Sequence, residues 1–267
     1  MNIESRRPIA FVLAATNHGS MLVNRHDYRL VGEGGYGVGF QLLQTSCFDP
    51  DEISLAIQLL RSRRENFGAG VVALDCGANI GAHTLEWARA MAGWGSVTAF
   101  EAQERLFYAL AGNIALNNCS NARAIWAAVG SESGSIGVPV PDYSKPASFG
   151  SLELRKTPKT EFIGQEIDYS EQRLQRTQML AIDDLALARV DFLKIDIEGM
   201  EIEALEGARG TIARTMPLIL IERIKSDEAG LRGFLTGQGY RLFDLGINLL
   251  AAHQSDPVAK NIQVRQA

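Results

Sequence analysis

The sequence predicts an α/β protein built on a doubly wound, mostly parallel sheet, and three features carry that expectation. Val71, Val72, Ala73 and Leu74 form an apolar block without polar interruption, as in a strand buried on both faces of a parallel sheet. After Gly70, strand-like and helix-like stretches alternate, which is the rhythm of crossover units. The chain then closes on YRLFDL, a turn at Gly246 and Ile247, and NLLAAH, with a connection short enough for an antiparallel pair.

Composition sets the frame for these elements. With 267 residues, 46% hydrophobic and 21% charged, the chain can bury a substantial core and is not generally disordered. A formal net charge of -5 offers no electrostatic reason for nucleic acid as the main partner. Cys47, Cys76 and Cys119 are odd in number and lack metal-type spacing, which suits reduced thiols in a cytoplasmic protein. No segment approaches the roughly 20 apolar residues of a membrane span. Arg6 and Arg7 precede an apolar run over 9–15 and so outline a minimal signal peptide. Pro8 opens that run, however, and His18, Asn24 and Arg25 soon follow, so a structural strand is expected instead.

In chain order, residues 1–69 read as an accessory segment: a β-hairpin, a glycine-rich loop and a helix. Apolar stretches over 11–15 and 21–24 flank Asn17, His18, Gly19 and Ser20, a turn composition that predicts the hairpin. GEGGYGVGF, residues 32–40, lacks the lysine ending of a Walker A loop, leaving either a tightly turning connection or a flap over a ligand. Asp49, Pro50, Asp51 and Glu52 start a helix that carries Ile53, Leu55, Ala56, Leu59 and Leu60. Arg61, Arg63 and Arg64 would mark its solvated end.

Residues 70–267 form the main domain. Strands are expected over 71–75, 96–101, 122–129, 192–197, 218–222, 240–245 and 248–253, and helices over 84–92, 106–117, 201–215 and 227–238. Between about 130 and 178 the rhythm breaks into a polar stretch holding Pro139, Pro141, Pro146 and Pro158. So long an irregular insertion suggests a substrate-facing excursion.

Two motifs carry chemistry. In DCGANIGAHT, Gly77 and Gly81 permit positive φ and Asn79 tolerates the left-handed region, so the first strand can turn sharply into a helix. Such a turn points free backbone N–H groups at a nucleotide-type ligand. A GxGxxG fingerprint would need glycine where Asn79 and Ala82 stand; an ExGxGxG-like pattern instead aligns Asp75, Gly77, Asn79 and Gly81. Glu101 ends the second strand at a spacing that lets an acid accept both ribose hydroxyls, in NAD and S-adenosylmethionine alike.

The second motif is VDFLKIDIEGMEIEALEGA. Lys194, Asp196 and Glu198 recur at period two and share one side of a strand as it emerges into a loop, where ligands of open parallel sheets bind. Lys194 is costly inside a sheet unless paired, with Asp75, Asp196 or Glu222 as the expected partner. The cluster could alternatively be a salt bridge that only orients the loop. Glu201, Glu203 and Glu206 read as a solvated helix face, with Met200, Ile202 and Leu205 supplying apolar contacts.

DCGANIGAHT, the strand ending FEA, KIDIEGMEIEALEGA, PLILIE and GYRLFDLGINLLAAH together resemble the FkbM-type methyltransferases, over roughly residues 70–255. The resemblance implies a Rossmann-like class I methyltransferase fold, S-adenosylmethionine as donor, and O-methylation of a hydroxyl on a sugar, glycan or secondary metabolite. It implies a donor site of Asp75, Gly77, Ala78, Asn79, Gly81, His83, Thr84, Glu101, Ala102 and Gln103. In that site the loop meets the methionine portion, Glu101 the ribose, and Ala102 with Gln103 the adenine edge. In-line transfer to an alcohol also needs alignment and proton removal. Asp196 is the candidate at the reacting centre, with Glu198 or Glu222 as a second carboxylate and His83, His253 and Tyr143 as further bases. The clustered carboxylates could hold magnesium, but nothing in their spacing demands it and no metal is expected. The partner is a small-molecule or glycan acceptor. A Rossmann oxidoreductase using NAD is disfavoured by the loop and the closing strands; a non-catalytic S-adenosylmethionine-binding protein is the other alternative.

Overall fold

The computed structural model describes residues 8–32 and 34–261, so Arg6, Arg7 and Glu33 lie outside the described residues. The expected hairpin forms from β1 (Phe11–Thr16) and β2 (Gly19–Asn24), and its alternation turns Met21 and Val23 fully inward. The glycine-dense stretch becomes half of a second hairpin, β3 (Arg29–Val31) with β4 (Gly34–Tyr36), followed by helix α1 (Val38–Thr45). Glycine is required at position 39, where a Cβ would lie 2.3 Å from the Asn24 carbonyl oxygen.

Helix α2 (Pro50–Phe67) starts as its sequence indicates, with proline in the first turn and Asp51 and Glu52 at the positive end. Its arginine end departs from expectation. Arg63 is only 5% exposed and pairs with Asp191 and Asp256. Ile53, Ala56, Leu60 and Arg63 are spaced by three and four, so Arg63 continues the buried stripe and its guanidinium meets two buried acids.

The sheet follows: β5 (Val71–Cys76), helix α3 (Ala82–Ala90), β6 (Gly95–Glu101), helix α4 (Glu104–Leu116) and β7 (Ala122–Trp126). The expected strand over 122–129 breaks at Ala127, and β8 (Ala128–Val129) leaves for a smaller sheet with β9 (Gly134–Pro139) and β10 (Leu174–Leu180). The insertion is therefore partly ordered. Then come β11 (Phe192–Ile195), helices α5 (Glu201–Gly207) and α6 (Arg209–Thr215), β12 (Leu218–Glu222), helix α7 (Glu228–Gly237), β13 (Tyr240–Leu245), β14 (Asn248–His253) and helix α8 (Val258–Asn261). The single helix expected over 201–215 divides at Ala208, whose φ -110° and ψ 2° leave the helical region, next to Gly207, where a Cβ would stand 2.0 Å from the Gly130 carbonyl oxygen. The Asp183 carboxylate then accepts the Gly210 and Thr211 N–H groups and starts α6 afresh.

The central sheet runs β13-β14-β12-β11-β5-β6-β7, parallel from β12 to β7 and antiparallel at the β12–β14 and β14–β13 pairs. It is the doubly wound sheet with an antiparallel close that the sequence predicts. Its two faces separate residue by residue along β5. Val71 and Ala73 pack with Leu60, Trp87 and Phe192, whereas Leu74 and Cys76 pack with Leu205, Ile212 and Leu235. Met21 and Val23 belong to the first of these clusters, so the N-terminal hairpin shares its core with the sheet.

Candidate active site

The floor of the candidate site is built at the carboxyl ends of the parallel strands β5, β6, β11 and β12. After β5, Gly77 takes φ 83° and Asn79 φ 51°. At Gly77 a Cβ would stand 1.8 Å from the Asp196 carbonyl oxygen, so two backbones meet there and only glycine fits. Asn113 of α4 ties this loop to the N-terminal hairpin, donating to the Ile80 carbonyl at 2.8 Å and accepting from the Leu22 N–H at 2.6 Å.

The loop does not offer free amides. Gly77 and Ala78 N–H both donate to the Phe100 carbonyl, Asn79 N–H to Glu101 Oε2, Ile80 N–H to the Asn79 side chain, and Gly81 N–H to the Ala78 carbonyl. The expectation of an amide cradle at this turn is thereby corrected: the chain's own acceptors use those donors. Glu101 is the pivot, since its other oxygen accepts from Gln103 N–H at 2.8 Å. Burial pushes its carboxyl up to about 7, with the Gln103 and Asn79 amides opposing.

A cavity of about 280 Å³ extends from this loop across the strand ends. Gly77, Ala78, Asn79, His83, Glu101, Ala102 and Gln103 line it, as do Lys194, Asp196, Glu198 and Glu222. Asp75, Gly81 and Thr84 are set behind that wall. The Thr84 hydroxyl donates to Asp75 at 2.6 Å, fixing the start of α3 to β5, and Gly81 abuts Leu110. Gln103 is held from the insertion, donating to the Phe149 carbonyl at 2.8 Å and accepting from the Tyr143 hydroxyl at 3.0 Å.

At the other end, Lys194 finds one of its expected partners, with Nζ 2.9 Å from Asp196 Oδ2. Burial opposes its charge, but Asp196, Asp75 and Glu52 outweigh burial and hold the ammonium well above its usual range. Strand β11 stops at Ile195, shorter than expected. Asp196 N–H still bonds to Cys76, after which Glu198 turns to φ 60°. Asp196, Glu198 and Glu222 then converge, each offering an oxygen within 4.8 Å of the others. Burial raises both glutamates, Glu222 to about 8, and Asp196 adds to the rise in each.

Glu201 corrects the solvated-face expectation. It is fully buried, accepting from Ile197 and Gly199 N–H at 3.1 Å and from the Ser226 hydroxyl. At the first turn of α5, a carboxylate folds back onto loop amides and holds the Glu198 turn. Lys225 was not singled out in the sequence. It lies 2.5 Å from Glu198 Oε2 and 3.1 Å from Glu161, and donates to the Ser151 carbonyl at 3.0 Å. Glu161 in turn accepts from Tyr36 and Arg29, so the insertion and the second hairpin meet over the cavity. Tyr36, Gly37 and Val38 line it, which places the glycine-dense stretch in its roof.

The histidines divide. His83 Nε2 stands 3.1 Å from Glu52 Oε1, an ion-pair distance off the line of a good hydrogen bond. Although burial opposes ionisation, His83, Lys194 and Asn248 bring the Glu52 carboxyl down to about 2. His253 is a correction: it bonds Ser255 and meets the Tyr240 ring edge-on, away from the cavity wall. Tyr143 is another, because its hydroxyl is spent on Gln103 and burial pushes its pKa upward.

The strand order and reversed last pair place this fold among the Rossmann-like class I methyltransferases. The sequence model of the Methyltransferase FkbM domain matches residues 75–242, more than half of the chain, and the chain belongs to that family. That family is one of methyltransferases, for which S-adenosylmethionine is the methyl donor. Among solved structures, it resembles methyltransferase FkbM from Methylobacillus flagellatus KT at 20% identity and TM-score 0.48, over 69% of this chain and 44% of that one. The chain thus spans less than half the length of that protein. It resembles an O-methyltransferase from Bacillus cereus, in complex with SAH, at 16% identity and TM-score 0.44, over 78% of this chain and 82% of that one. A precorrin-6y C5,15-methyltransferase from Geobacter metallireducens GS-15 aligns at 13% identity and TM-score 0.42, over 78% and 89% of the two chains. No curated protein matches the chain.

Proposed function

We propose that the protein methylates a hydroxyl oxygen of a sugar, glycan or secondary metabolite, with the donor against Gly77–Ile80 and Glu101 and the acceptor over Asp196, Glu198 and Glu222. The observation that carries the reading is the charge character of the cavity. A pyrophosphate needs free N–H donors, and residues 77–81 have none, whereas carboxylates stand at both ends of the cavity. That environment suits a cationic donor. S-adenosylmethionine, when bound, supplies an electrophilic methyl group on a sulfonium.

The protein's own residues do the rest. Glu101 accepts the ribose hydroxyls, Ala102 and Gln103 border the adenine, and the loop holds the methionine portion. Asp75, Gly81 and Thr84 support that loop from behind. Asp196, at the end of β11, takes the proton from the acceptor hydroxyl, while Lys194 fixes one of its oxygens and Glu198 or Glu222 serves as the second carboxylate. Residues 1–69 serve as an accessory segment to the domain over 70–267, with Tyr36, Gly37 and Val38 roofing the cavity. The free Cys47, Cys76 and Cys119 fit a reducing, cytoplasmic setting.

Calorimetry with S-adenosylmethionine and with NAD tests the donor side, followed by transfer of a labelled methyl group to sugar and metabolite fractions. Donor binding, no NAD binding and label on an ether oxygen are expected. Label found on nitrogen or carbon would overturn the O-methylation reading.

A further inference from the structure

We propose that Asp196, Glu198 and Glu222 bind a hard divalent cation, of the magnesium or manganese class, on the acceptor side of the cavity. Its use in catalysis rests on the O-methyltransferase reading; its binding does not. The three residues offer oxygens within 4.8 Å of one another. Oxygens held by one ion at about 2.0 to 2.4 Å can stand no further apart than about twice that length. The three oxygens are therefore near enough for small side-chain rotations to bring them onto a single ion. An all-carboxylate set also selects magnesium, manganese or calcium over softer metals.

A separate observation points to an external cation. Glu222 is 8% exposed, and its Oε2 is buried without a hydrogen-bond partner. Desolvating such an oxygen is costly unless it meets a proton or a cation. The nearby ammonium groups are committed elsewhere. Lys194 takes Asp196 Oδ2, and Lys225 is divided among Glu198 Oε2, Glu161 and the Ser151 carbonyl. Oδ1 of Asp196 and Oε1 of Glu198 stand outside those pairs.

The position assigns the cation a task and the acceptor a class. Carboxylates supply only part of the coordination of such an ion, so oxygens from the cavity complete it. An acceptor with two neighbouring oxygens, such as a vicinal diol or a hydroxy acid, can provide them, and a hydroxyl bound to the ion loses its proton more readily. Asp196 then serves the reaction as a ligand as well as a proton acceptor.

The test is titration of manganese chloride and magnesium chloride into the chelator-treated full chain, followed by calorimetry and by the manganese electron-spin signal. One saturable manganese ion per chain is expected, with affinity falling about 10-fold or more in Glu222→Gln and in Asp196→Asn. Far-ultraviolet circular dichroism and the melting temperature show that the variants fold, and S-adenosylmethionine binding is measured on the same samples. Absence of saturable metal binding to the parent, or equal binding in a folded Glu222→Gln variant, overturns the site. Manganese binding without donor binding would leave the cation site standing and remove the donor reading; donor binding without manganese binding would do the reverse.

Discussion

Replacing Glu101 with glutamine separates what this carboxylate costs the fold from what it contributes to the donor. Its carboxyl is pushed from 4.5 to about 7, chiefly by burial. Between those values the folded protein keeps a proton that the unfolded chain has released, so stability must fall as pH rises through that window. At about 1.4 kcal/mol for each pH unit, the loss approaches about 3 kcal/mol by neutral pH and stays constant above it. Glutamine cannot ionise, so Glu101→Gln should lose this slope. Its amide also turns an NH2 toward the Asn79 or Gln103 N–H, a mismatch of about 1 to 3 kcal/mol. The variant should therefore be less stable than the parent near pH 5 and close to it near pH 8, as read by urea titration. Donor binding should behave oppositely. Two charge-assisted ribose bonds contribute about 1.5 to 3 kcal/mol each, so the variant, like Glu101→Ala, should bind S-adenosylmethionine at least about 100-fold more weakly at pH 8. Parental affinity should rise with pH through about 7 while the variant's stays flat. An unchanged dissociation constant by calorimetry, or a surviving stability slope in Glu101→Gln, would refute this reasoning.

Asp196→Asn keeps the size of the side chain but removes its charge, so methyl transfer should fall about 100-fold or more while donor affinity changes little. Single-turnover transfer and calorimetry on one preparation check both halves, and a parental rate would make Asp196 structural. Arg63→Met leaves Asp256 and part of Asp191 buried without their guanidinium, a change expected to cost about 3 to 5 kcal/mol in denaturant unfolding. A cost below about 1 kcal/mol would show that Arg189, which also pairs with Asp191, suffices alone. Gly77→Ala sets a Cβ against the Asp196 carbonyl at positive φ, so the loops must separate. A lowered melting temperature and lost donor binding are expected, and full retention of both would mean the loop yields freely.

The sheet was legible in the sequence because burial on both faces writes an unbroken apolar run, as in Val71 to Leu74, and because turns between strands demand glycine or asparagine. Lys194 was legible for a related reason: an ammonium inside a sheet has few possible partners, and Asp196 was among the acids named. What escaped notice depends on contacts distant in sequence. Arg63 looked like part of a surface charge run until its helical phase set it facing Asp191 and Asp256, 128 and 193 positions further along. Glu201 looked like one of three solvated acids, yet it is the first residue of α5, and its carboxylate reaches the loop amides of Ile197 and Gly199. The amides of residues 77–81 look free in any glycine turn, and only the paired strand β6 shows that Phe100 and Glu101 accept most of them. Lys225 illustrates the same limit at the site itself. Its sequence neighbourhood is a polar loop, but Glu161 and Ser151 of the insertion and Glu198 after β11 converge on it from separate parts of the chain. The cavity end at Asp196, Glu198 and Glu222 is thus written by loops that meet only after folding, whereas the end at Gly77 and Glu101 lies largely on one strand, one turn and one neighbouring strand end. A short motif can carry the second arrangement; it cannot carry the first.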